Sequence, residues 1–146
     1  MIYRKTYKVK GEDVNDFMVM QNFAYHSYAS SIFKSFLFEK GYSKRKLNAS
    51  KIDIQEYHRT LTHRKPLMFM QDFFVNMEFV NNADNKKISI KNRFFNTKNE
   101  LCVTAITQLY WFDFNNQKVI AMPKDILECF LPEPFCPLTR RLQVNS

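Results

Sequence analysis

Glycine is nearly missing from this chain: Gly11 and Gly41 are the only two in 146 residues. Turns that need left-handed backbone are therefore expected to lean on Asn and Asp, which tolerate that geometry better than other residues with a side chain. Long apolar runs are missing too, and none approaches the ~20 residues of a spanning helix, so no membrane span is expected. The N-terminal stretch MIYRKTYKVK lacks the apolar core of a signal peptide, which points to a cytoplasmic location. The cysteines Cys102, Cys129 and Cys136 form an odd set without paired spacing, so no disulfide is expected and a reducing compartment fits. His26, His58 and His63 are scattered, and no short Cys/His spacing suggests a metal site.

What the chain does have is a globular composition, 45% hydrophobic and 25% charged, with a mean hydropathy of −0.41. Its length suits one domain with a single core. Basic residues outnumber acidic ones by 22 to 14, a net charge of +8, which favours an anionic partner. Nucleic acid, a membrane surface and a phosphorylated cofactor are such partners; the basic residues are dispersed and no motif interleaves them with aromatics, so nucleic-acid binding ranks last among the functional readings. The densest run is Lys40, Lys44, Arg45 and Lys46.

Residues 2 to 10 place Tyr3, Lys5, Tyr7 and Val9 on one face, a half-buried strand. The acidic loop GEDVND follows, and a Met-rich stretch runs to Asn22. From there Tyr25, Tyr28, Ala29, Ile32, Phe33, Phe36 and Leu37 have the spacing of a helix with one buried face. Asn22 is expected to be its N-cap and Gly41 its left-handed end. Residues 42 to 56 read as a basic connector with a helical turn near Asp53 to Tyr57, followed by a strand to Arg64. Residues 73 to 80 and 86 to 95 alternate as a hairpin turning at Asn81 to Asn85. Residues 100 to 114 are apolar on both faces, as expected of a central strand. A last strand at Lys118 to Ala121, a short helix KDILECF and a proline-containing tail complete the chain. The architecture is α+β: one long helix wrapped by an antiparallel sheet.

That order, with particular residues, resembles the hotdog-fold acyl-CoA and acyl-carrier thioesterases of the 4-hydroxybenzoyl-CoA type. The resemblance covers residues 1 to 131 and leaves 132 to 146 as an irregular tail. Asp13, Val14 and Asn15 stand at the family's Asp-x-Asp, Asn22 at its Asn, and Tyr25 at the Tyr opening the helix. KPLMFMQD at 65 to 72 and FDFNNQKVIAMP at 112 to 123 match its later segments. The resemblance implies a thioester hydrolase with no cofactor of its own, taking an acyl-CoA or acyl-carrier thioester as substrate. It also implies a homodimer, with a tetramer as its extension, and a pocket at the dimer interface.

The departures fall on the reactive centre. The family's second Asp, its nucleophile or general base, is Asn15 here, a neutral amide that cannot take up a proton at neutral pH. The His that often follows is Val19, Phe17 replaces a polar residue, and Ser30 and Ser31 occupy the helix turn where another branch has a carboxylate. Two routes to function are open. Asp13 can replace the base while helix amides after Asn22 hold the oxyanion, giving hydrolysis by atypical water activation. Alternatively the protein binds acyl thioesters, or serves in a biosynthetic complex, with little or no turnover. In either case Met18 and Met20 would line the acyl channel and Lys44, Arg45 and Lys46 would meet the phosphates of CoA. Each residue also has a structural reading: Asp13 a solvated loop acid, Asn22 a cap, Tyr25 core, the lysines a solvated surface.

Overall fold

The computed structural model describes residues 2–80 and 87–129. Strand β1 (Ile2–Lys8) leads through a 3-10 turn at Gly11–Asp13 into helix α1 (Asn22–Glu39). Helix α2 (Lys44–Ala49) follows, then β2 (Ile52–His63), β3 (Asp72–Val80), β4 (Lys87–Asn96), β5 (Leu101–Asp113), β6 (Lys118–Ile120) and α3 (Lys124–Cys129). The strands form one antiparallel sheet in the order β1-β3-β4-β5-β2, and β6 also pairs with β5, beyond the end of β4.

The helix packs its apolar stripe against the sheet. Tyr25, Tyr28, Ala29, Ile32, Phe36 and Leu37 are buried, against inward residues such as Val75, Met77, Ile90, Phe94 and Val103. Burying each large side chain contributes about 1.5–3 kcal/mol, so the sheet and the helix hold each other. Gly41, at φ 92°, ends the helix: the Gly41 and Tyr42 amides donate to the carbonyls of Phe38 and Leu37. Strand β5 alternates buried with half-buried residues, so its second face is only partly covered within this chain.

Four sequence expectations shift. The N-cap is Gln21, and Asn22 is the first helical residue. The short helix after α1 lies at Lys44–Ala49, where the Ser43 hydroxyl accepts from the Lys46 amide. Asp53 to Tyr57 belongs to β2, because pairing with Tyr110–Phe112 and Leu109 of β5 outweighs any local helical preference, with a bulge at Tyr57. Among the described residues the left-handed non-glycine positions are Met18, Lys51, Met70, Asn99 and Gln117. Asn thus supplies only one of them, because hydrogen bonds such as Met18 N–H to Asn15 O and Met70 N–H to Val9 O hold the others in place. The hairpin turn at 81–85 and the tail 132–146 lie outside the described residues. Among those described, no helix is long and apolar enough to cross a membrane.

Candidate active site

The loop between β1 and α1 is built by its own side chains. Asn15 Oδ1 accepts from the Phe17 amide at 3.0 Å and the Val19 amide at 3.1 Å, closing a turn that holds Met18 left-handed. One end of the amide is thus used for architecture, and Nδ2 is left over as a donor on an exposed residue. A bridge of Val14 to Met20 closes the loop on itself, and one of Val19 to Met68 pins it to the 66–71 segment. Gln21 ties it to the helix through its backbone N–H to Asp13 O and its Nε2 to Val19 O, both 2.9 Å.

Asp13 is buried at 6% exposure. Its Oδ2 accepts from the Lys10 amide at 2.9 Å and the Tyr28 hydroxyl at 2.5 Å. Burial, and then the Asp13 carboxylate, push the Tyr28 phenol well above its usual range, so it donates and does not ionise. Asp13 is therefore committed to holding β1, the loop and α1 together. Tyr25 lies in the core, edge-on to Phe94 and His63, with its pKa pushed up to about 12, chiefly by burial. Met20 is buried and Met18 is half exposed, so the two sides of the loop separate them. Asn22 is exposed at the top of α1, whose first amides receive no side-chain cap.

A second cluster was not singled out from sequence. Arg59 of β2 has a side chain only 6% exposed. Its guanidinium donates to Thr107 Oγ1 (2.7 Å), the His26 carbonyl (2.7 Å), Ser30 Oγ (3.2 Å) and Glu56 Oε2 (2.8 Å). It also lies 3.3 Å from His26 Nδ1. That contact makes Nδ1 the acceptor and leaves the ring proton on Nε2. The cluster lines an open cleft of about 460 Å³ formed with Ser27, Ser31 and Lys34. Below it, Ser30, Lys34, Glu56 and Arg59 also border a larger cavity of about 840 Å³, which runs between α1 and β2, β4 and β5. Its apolar wall includes Ala29, Phe33, Leu37, Ile90 and Leu109, and Lys44 borders it. Arg45 and Lys46 are exposed, with Lys46 4.7 Å above the Tyr42 ring. None of the residues 13–25 lines the cavity. The link is the helix itself: Asn22, His26, Ser30 and Lys34 recur every fourth residue, so one stripe leads from the loop, along the cleft, into the cavity.

Burial, together with the Arg59 charge and against the opposing Glu56, lowers the His26 pKa from its ordinary 6.5. A neutral His26 thus contributes stability that is complete above pH 6.5 and is lost as pH falls through the lower folded value. The urea midpoint of the wild type should fall between about pH 7 and pH 5, and His26→Gln should flatten that decline. A decline unchanged in His26→Gln would assign it to other groups.

Helix, wrapping sheet, loop and cleft define a hotdog-fold protein of the thioesterase class. The family model of the thioesterase-like superfamily matches residues 9–130, and the chain belongs to that superfamily. Its structure is similar to that of a 1,4-dihydroxy-2-naphthoyl-CoA thioesterase from Synechocystis, with TM-score 0.81 and 12% identity over 89% of this chain and 96% of the other. It is also similar to a hypothetical protein from Staphylococcus aureus solved in complex with CoA (TM-score 0.78, 15% identity, 85% and 78% covered). A gentisyl-coenzyme A thioesterase matches at TM-score 0.75 and 18% identity, over 86% and 99%. At these identities the likeness is one of fold. No curated protein matches the sequence.

Proposed function

We propose that this protein hydrolyses acyl thioesters of coenzyme A or of an acyl carrier, with the acyl group in the cavity and the thioester in the cleft above it. The observation that carries the reading is the continuous stripe from the α1 N-terminus through the Arg59 cluster into an apolar cavity. Asn15 offers no base, and Asp13 holds the loop through Tyr28. Glu56 is the carboxylate that borders both cleft and cavity. Arg59 holds its Oε2, which leaves Oε1 to take a proton from an attacking water. The free amides of the first α1 turn, and His26 Nε2–H below them, suit a developing oxyanion. Lys34 and Lys44 supply positive charge at the opening for the carrier's phosphates. CoA-bound and CoA-thioesterase neighbours agree with this substrate class.

The expected result is thiol release from a panel of acyl-CoAs by the purified protein. Glu56→Gln should lower kcat about 100-fold or more, with KM little changed. Asn15→Asp keeps an oxygen for the Phe17 and Val19 amides, so its melting temperature should match the wild type. Asn15 borders neither cleft nor cavity, so turnover should stay unchanged, and a rise would move the reaction to the loop. The Asn15 turn also supports a second reading, a protein that binds acyl thioesters without turnover. Tight acyl-CoA binding with no thiol release by wild type would favour that reading over hydrolysis.

A further inference from the structure

Asn92 is a polar residue in an apolar position. It faces inward from β4 between Ile90 and Phe94, is 1% exposed, and borders the cavity. Its Nδ2 has no hydrogen-bond partner. A buried amide without a partner destabilises a fold, and leucine or isoleucine at this place would not. The sheet register sets Ala105 opposite Asn92 and Thr107 opposite Ile90. Asn92 and Thr107 are therefore diagonal neighbours on one face, ~7–8 Å apart by backbone.

Thr107, 3% exposed, also borders the cavity. Its Oγ1 accepts from Arg59 Nε at 2.7 Å, so its own O–H proton is free to donate. Two donors thus face the cavity from one side of the sheet, Asn92 between the apolar Ile90 and Phe94 and Thr107 beside Arg59. The cavity follows α1 from Ala29 to Phe38, about 14 Å at the ~1.5 Å rise per helical residue. That is longer than one aromatic ring, and an extended chain can lie along it. A plain hydrocarbon chain would leave the Asn92 amide unmatched, whereas an oxygen part-way along would satisfy it.

We propose that the cavity selects an aliphatic acyl group bearing a hydroxyl or keto oxygen along its length, with Asn92, assisted by Thr107, as the specificity-determining residue. The substrate assignment rests on the thioesterase reading; the binding preference does not. A hydroxyl suits the amide at either end, since it both donates and accepts.

The test is equilibrium binding of free acids to the whole protein: dodecanoic acid, its hydroxylated isomers with the hydroxyl moved along the chain, and the keto counterparts. At least one oxygenated isomer should bind about 10-fold tighter than dodecanoic acid, because a site built to pair a polar group discriminates strongly against its absence. Asn92→Leu should erase that preference, and should raise the melting temperature of the free protein by about 3 °C through removal of the unpaired amide. Asn92→Ala, which cannot overfill the site, should erase the preference as well. Equal binding of plain and oxygenated acids, a preference that survives both substitutions, or no binding by any acid overturns the proposal. Asn92-dependent binding without thiol release from any acyl-CoA would sink the hydrolase reading alone, and thiol release without the preference would sink this one alone.

Discussion

Arg59→Met is expected to destabilise the protein by about 3 kcal/mol and lower its melting temperature by roughly 6–12 °C. The guanidinium ties β2 to α1, and among the described strands β2 is an edge strand paired with β5. Its loss removes the donor to Thr107 Oγ1 and the second donor to the His26 carbonyl, which keeps its place in the helical ladder of α1. Breaking a buried pair commonly costs about 3–5 kcal/mol; the lower end applies because the Glu56 side chain is 39% exposed and its attraction is screened. Arg59→Lys should recover less than half, since one ammonium cannot reach partners placed around a planar fork. Turnover should fall with stability, because the cleft and the Glu56 carboxylate are positioned by the same group. Urea unfolding of the three proteins checks this, and an Arg59→Met variant within about 1 kcal/mol of wild type would show that the cluster does not bind β2 to the helix.

The second large effect is expected at Asp13. Asp13→Ala should cost about 3 kcal/mol, the worth of two charge-assisted hydrogen bonds less the relaxation of the loop. Tyr28→Phe should cost about half as much. The double variant should lose at least 1 kcal/mol less than the sum, because the two side chains share one 2.5 Å bond. Asp13→Ala should also lower turnover about 10-fold by loosening the turn that holds the N-terminus of α1. The informative comparison is Asp13→Asn, which keeps an acceptor for Tyr28 and Lys10. If Asp13 positions the loop, Asn recovers most of the stability and turnover together. If Asn restores stability and leaves the protein as inactive as Ala, Asp13 is the base and Glu56 is not.

Much of the fold was legible because it is written in local periodicity. The buried stripe of α1, the glycine at its end and the alternation of β3 and β4 follow from spacing alone, whereas β5, apolar on both faces in sequence, shows its alternation of buried and half-buried residues only in the fold. The α2 helix was misplaced because basic residues obscured its boundary; its signal was Ser43 before Lys46, a cap of ordinary form. The first half of β2 was unreadable because its conformation is set by pairing with β5. The loop residues Asp13, Asn15 and Asn22 could be located in sequence, but what their side chains hold could not. The Arg59 cluster joins residues from α1, β2 and β5 that meet only once the sheet forms, and single residues such as His26 carry no signal of that. Asn92 did leave a trace, as the one polar residue interrupting the inward series Ile88, Ile90 and Phe94.

The sheet order also sets a sequence of events in folding. Neighbours β3, β4 and β5 pair with their nearest strands in the chain, whereas Ile2 must find Glu78 and His63 must find Val103. The meander can nucleate locally, while β1 and β2 have to close long loops onto its two edges. On the ribosome, β1 and α1 emerge before the meander they pack against, so their aromatic stripe stays uncovered until β3 to β5 are made. The loop that carries Asp13 and Asn15 therefore gains its packing only once the meander is made.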